Sequence, residues 1–136
     1  MKGDILLQNV QIRGFVPATA GKNAKESKKK IKDAIETKLG KNISNVKKRC
    51  EGKPLWVNVV FYLQKDTAHA KKDLDSLSNV LLSVLSKEMS SGKEAEEGLD
   101  IIKDDSIVYK IVFEKKIVEA EKDEGLAFSI YEWSYT

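Results

Sequence analysis

The stretch Leu55-Trp56-Val57-Asn58-Val59-Val60-Phe61-Tyr62-Leu63 most limits what this chain can become. β-branched and aromatic side chains dominate it, Pro54 stands before it, and polar residues 64–70 follow. Such side chains fit a pleated surface, so the run reads as a strand buried on at least one face, with Trp56 expected in the core.

The flanking segments supply the rest of a sheet and its cover. Residues 5–16 alternate loosely, with Leu6, Val10, Ile12 and Val16 among Gln8, Asn9, Gln11 and Arg13, and read as a first strand leading to a loop at Pro17. From Asn23 to Leu39 the apolar residues Ala24, Ile31, Ala34, Ile35 and Leu39 fall at helical spacings, with lysines on the other face. Gly40 suits a helix stop. Ile43 to Lys53 reads as a polar connection with at most a short helical turn. After the central strand, Leu74, Leu77, Leu81, Val84, Leu85 and Met89 form a second helical stripe. Residues 90–98 form an acidic, glycine-punctuated loop. Ile107, Tyr109, Ile111 and Phe113 then alternate with Val108, Lys110, Val112 and Glu114, as in a strand with one packed face. Leu126 to Trp133 reads as a last strand, after a turn near Glu124-Gly125. The order β-α-β-α-β-β over residues 1–136 describes one α+β domain, a mixed sheet with two main helices packed on it.

Composition narrows the function classes. The 136 residues are 41% hydrophobic and 33% charged, as in a globular domain with a charged surface. No apolar run approaches the roughly 20 residues of a membrane span, and Met1-Lys2-Gly3-Asp4-Ile5-Leu6-Leu7 does not read as a signal peptide, so a cytoplasmic chain without a membrane partner is expected. Cys50 is the only cysteine and His69 the only histidine. No internal disulfide can form, and a mechanism needing two histidines is excluded. A lone histidine is more often a surface or partly packed residue than a ligand. The net charge of +3 is mild, but lysines gather at 28–32 and at 47–49, while acids gather after residue 90. The lysine runs read as a solvated helix face or as a face tracking phosphates. Arg13 and Arg49 are the only arginines. Lysine meets phosphate as a point charge and lacks the fork that reads guanine, so backbone contact is favoured over base readout.

Two acidic clusters remain. Lys71-Lys72-Asp73-Leu74-Asp75-Ser76-Leu77 opens the second helix, and Asp104-Asp105 opens the following strand. Alone, each has an ordinary reading. Asp73 suits an N-cap, Asp75 suits the positive end of a helix dipole, and acidic pairs are common in turns. Together they allow more, because a strand-to-helix junction and the start of another strand can share one end of a sheet. Carboxylates converging there would repel one another unless a cation joined them, and hard oxygen ligands suit Mg²⁺ or Mn²⁺.

The pair Lys71-Lys72-Asp73-Leu74-Asp75-Ser76-Leu77 and Lys103-Asp104-Asp105-Ser106 resembles the signatures of the RusA-like Holliday-junction resolvases. The element order agrees over most of the chain. The resemblance implies a RusA-like fold and a homodimer that binds four-way junction DNA. It implies a metal-dependent endodeoxyribonuclease making paired, symmetric nicks with Mg²⁺ or Mn²⁺. Asp73, Asp75 and Asp105 match the catalytic, metal-binding aspartates, Asp104 their acidic neighbour, and Lys115 a family lysine on the next strand. Lys71, Lys72, Lys110, Lys115 and Lys116 are the candidate DNA contacts. Ser76, Ile107 and Asn79 stand where the family has Asn, Gln and a catalytic lysine, and asparagine brings no positive charge. A catalytically silent junction-binding dimer is the alternative, and a small interaction protein whose aspartates are only caps is a third.

Overall fold

The computed structural model describes residues 2–17, 24–87, 89, 96–103 and 105–134, with the side chains of Ala24 and Asp105 outside that description. Strand β1 runs Lys2–Arg13, helix α1 Ala24–Leu39, helix α2 Ile43–Cys50, strand β2 Leu55–Gln64, helix α3 Leu74–Leu85, strand β3 Val108–Val118 and strand β4 Gly125–Trp133. The strands form one sheet in the order β1-β4-β2-β3. Strand β4 is antiparallel to both β1 and β2, and β3 is parallel to β2, so the sheet is mixed. None of the described helices is long and apolar enough to cross a membrane.

Strand β2 sets the layering. Its residues alternate strictly between buried and half-buried, with Leu55, Val57, Val59, Phe61 and Leu63 inward. They join Phe128, Ile130 and Leu126 of β4 and Ile31, Ile35, Val46, Cys50, Leu77, Leu81 and Leu85 of the helices in one core. All three helices therefore cover the same face of the sheet. Complete burial of Phe61 or Phe128 stabilises the fold by roughly 1.5–3 kcal/mol each.

Four local expectations need correction. Strand β1 ends at Arg13 rather than at residue 16, because Gly14 takes φ +84° and turns the chain away. Gly40, at φ +51°, does not end the helical region: a 3₁₀ turn at Gly40–Asn42 passes the chain into α2. There Val46 and Cys50, one turn apart, bury a small apolar face. Trp56 is not a core residue. Its position in the alternation puts it on the face opposite Leu55 and Val57. Tyr109 does not share a face with Ile111 and Phe113. The register slips between the pairs Leu55–Val108 and Trp56–Lys110, which skips Tyr109 as in a bulge and leaves it 53% exposed, its ring 5.2 Å from that of Trp133.

Gly125 begins β4 with φ +151°, where a Cβ would run into the carbonyl oxygen of Ile12 and the Cα of Arg13. Close approach of β1 and β4 requires glycine there. Gly125→Ala should destabilise the protein by about 2–3 kcal/mol, read from the shift of a urea unfolding midpoint at unchanged slope.

Cys50 is fully buried, and burial pushes its thiol from 9.0 up to about 11, against the opposing pull of Lys53 and Arg49. The unfolded thiol ionises first, so its contribution to stability is complete below pH 9.0 and is lost as pH rises through about 11. Native protein at neutral pH should resist thiol-directed reagents that label the urea-unfolded chain at once. Equal labelling rates in the two states would contradict the burial.

Candidate functional site

Beyond the end of β2, a 3₁₀ turn at Ala68–Lys71 leads to Asp73, whose extended backbone (φ −74°, ψ 135°) makes it the N-cap of α3. The Leu77 N–H donates to the Asp73 carbonyl at 3.1 Å, closing the first turn. The Asp73 side chain makes no capping hydrogen bond. It and Asp75 are exposed and have no hydrogen-bond or ion-pair partner among the described residues. The helix start orients both at the positive end of the α3 dipole, where negative charge is favoured.

Three tethers hold this junction at the Gln64 end of the sheet. The Lys72 ammonium donates to the Pro17 carbonyl at 2.6 Å, and the Lys115 ammonium donates to the Ala70 carbonyl at 3.1 Å. Burial lowers the Lys72 pKa below 10.5, and the negative charge of Glu124 pulls it the other way. The third tether is His69 Nδ1, 3.0 Å from Oε2 and 3.3 Å from Oε1 of Glu124. Glu124 is wholly buried, and its Oε2 also accepts the Gln64 backbone N–H at 3.2 Å. Against an ionised Glu124 carboxylate, Nδ1 is the ring nitrogen that donates.

Sequence reasoning missed this His69–Glu124 pair. Neither residue belongs to a motif, and Glu124 looked like one more polar turn residue. Its only local signal is its place before Gly125, and the partner of its side chain at Gln64 stands 60 residues away in the chain.

The second acidic cluster enters the fold elsewhere. Asp105 opens a 3₁₀ turn, Asp105–Ile107, just before β3. Strand β3 begins at Val108, opposite Leu55, the first residue of β2. Parallel pairing thus puts the end of β2 and the start of β3 at opposite ends of the sheet, contrary to the expectation that they share one end. Asp104 and the side chain of Asp105 lie outside the described residues. Among the described residues, no group of three or more His, Cys, Asp or Glu side chains is placed to hold a metal ion. Asp73 and Asp75 do offer exposed, uncommitted hard oxygen donors, which is the donor chemistry Mg²⁺ and Mn²⁺ accept.

The candidate DNA-contacting lysines divide into two groups. Lys71 is exposed beside Lys72, and Lys115, opposite Phe61, points to the helix-covered side, so these three surround the α3 junction. Lys110 and Lys116, opposite Trp56 and Tyr62, lie on the uncovered face. The lysines of α1 serve a structural role in part. Lys28 and Lys32 donate to the carbonyls of Met89 (3.2 Å) and Glu97 (2.9 Å), and Lys25 and Lys29 lie 3.9 and 3.8 Å from Glu96. Met89, Glu96 and Glu97 are thereby held against α1.

No protein-family model matches this chain, and no curated protein or solved structure matches it. The functional reading therefore rests on the side chains themselves.

His69→Ala should strand the buried Glu124 carboxylate and destabilise the protein by roughly 1–3 kcal/mol, as loss of a partner to a buried group does. His69→Gln, which can still donate, should recover part of that loss in the same urea titration.

Proposed function

We propose that the chain is a metal-dependent, structure-selective endodeoxyribonuclease that nicks four-way DNA junctions as a homodimer. The observation that carries this reading is the pair of exposed carboxylates Asp73 and Asp75 at the first turn of α3, unpartnered among the described residues, with Lys71, Lys72 and Lys115 at the junction that leads into it. The motif resemblance supports the junction substrate and the two-fold pairing, since two equivalent sites suit two equivalent strands.

In this reading Asp73 and Asp75 hold Mg²⁺ or Mn²⁺, with Asp104 and Asp105 completing the set. The metal supplies a Lewis acid and a water of lowered pKa. The neighbouring ammonium groups bind the scissile phosphate and offset charge developing on it. Glu96 lies against Lys25 and Lys29 of α1, which reduces its repulsion of DNA.

Purified protein incubated with a synthetic four-way junction and Mg²⁺ or Mn²⁺ should give symmetric nicks. Asp73→Asn, Asp75→Asn and Asp105→Asn should each slow cleavage by about 10³-fold or more, the effect of several kcal/mol on a barrier. Cleavage equal to wild type in Asp73→Asn would sink the proposal.

Asn79 favours a second reading. It is exposed on α3, four residues after Asp75, where the resembled family has its catalytic lysine. A catalytically silent junction-binding dimer would bind with steep salt dependence and leave the junction intact in either metal. In the enzyme, Asn79→Lys should raise the cleavage rate. In a silent binder it should leave the junction uncut.

A further inference from the structure

The uncovered face of the sheet carries its own chemistry. Strand register defines rows across it. At one end Ile5, Tyr131, Trp56 and Lys110 are successive partners, and at the other Arg13, Gly125, Tyr62 and Lys116. Between them lie Ser129, Asn58 and Val112, then Gln11, Ala127, Val60 and Glu114. No described helix packs there, and the β2 residues on this side are all half-exposed.

Cations and rings are interleaved at both ends. Lys110 Nζ lies 4.3 Å from the Trp56 ring centroid, and Lys2 Nζ lies 4.8 Å from that of Tyr131 and 5.8 Å from that of Trp56. The Arg13 guanidinium lies 3.4 Å above the Tyr62 ring. Each cation thus sits over the ring it contacts, and a base stacking there takes its place and frees it to meet a phosphate. Trp56 and Tyr62 are roughly 20 Å apart along β2 at ~3.3 Å per residue. In these rows Arg13, Lys110 and Lys116 stand with one carboxylate, Glu114, and Lys2 reaches over Trp56 and Tyr131 from the end of β1.

We propose that this open sheet face binds single-stranded nucleic acid, with bases stacking on Trp56, Tyr62 and Tyr131 and phosphates meeting Lys2, Arg13, Lys110 and Lys116. A duplex keeps its base faces inside its own stack, whereas a single strand offers them to aromatic side chains. Charge argues against a second copy of the chain as the occupant. A two-fold contact would set these cations against themselves, whereas a polyanion neutralises them. The inference rests on the sheet face alone and does not require the acidic end to cleave anything.

Anisotropy of labelled oligodeoxythymidylate, oligouridylate and a mixed-sequence DNA duplex tests it, with the full chain in EDTA so that metal-dependent cleavage plays no part. Both single strands should bind more tightly than the duplex, with affinity falling steeply as salt rises. A preference between them identifies DNA or RNA as the ligand. The double variant Lys110→Glu/Lys116→Glu should weaken binding by about tenfold or more, and Trp56→Leu and Tyr62→Leu by about fivefold or more each, with unchanged circular dichroism and thermal midpoint for the lysine variant. Lys38→Glu/Lys41→Glu, the same charge change on two exposed lysines at the end of α1 and just beyond it, should stay within about twofold of wild type. Duplex affinity equal to or above that of the single strands overturns the inference, as does wild-type binding by the folded lysine variant. So does a sedimentation result in which the lysine variant alters a dimer and no oligonucleotide binds, since the face would then be a contact between copies.

Discussion

The hydrogen-bonding of β2 on both of its edges is the constraint on which this molecule depends. A strand paired with β3 on one side and β4 on the other cannot rotate or slip without breaking two ladders. Its register therefore assigns every one of its side chains to a face. Leu55, Val57, Val59, Phe61 and Leu63 form the floor on which the helices sit, and Trp56, Asn58, Val60, Tyr62 and Gln64 become the opposite surface. A slip of one residue would exchange the floor for the surface, and the burial of Phe61 with Phe128 and Ile130 opposes that slip.

The directions of the pairings matter as much as their register. Because β3 runs with β2, a connection must cross the sheet, and α3 and residues 86–107 form it. The two acidic clusters sit at the start and near the finish of that crossover. Because β4 runs against β2, Glu124 is delivered to the place where β2 ends. There it holds His69 and faces Lys72, so one buried carboxylate braces the approach to Asp73. The same antiparallel pairing aligns Tyr131 with Trp56 and Gly125 with Tyr62, producing the aromatic and basic rows of the open face.

Much of the fold was legible in the residues. The element order, the two main helices and the last strand follow from local periodicity, since apolar residues at spacings of three and four, or at every second position, bury one face whatever the partner. The bulge at Tyr109 was not legible, because it reconciles β3 with a neighbour that a one-dimensional pattern does not contain. The place of Trp56 was misread for a related reason: a large ring raises the hydrophobicity of a run, but its side is decided by parity. For the candidate site, Asp73 and Asp75 were visible as a charged helix start. The His69–Glu124 pair was invisible, since two polar residues in separate turns carry no local sign that one is buried and held by the other.

By itself, then, the sequence determined the kinds of element, their order, and the carboxylates and lysines available for chemistry, because propensity and amphipathic period act within a turn or two of chain. Tertiary structure decided which faces those elements share. It closed Glu124 into the core, split the lysines between the α3 junction and the open sheet, and set the entry points of the acidic clusters at opposite ends of β2. Those outcomes depend on strand direction and register, which are settled by hydrogen bonds and packing between residues far apart in the chain.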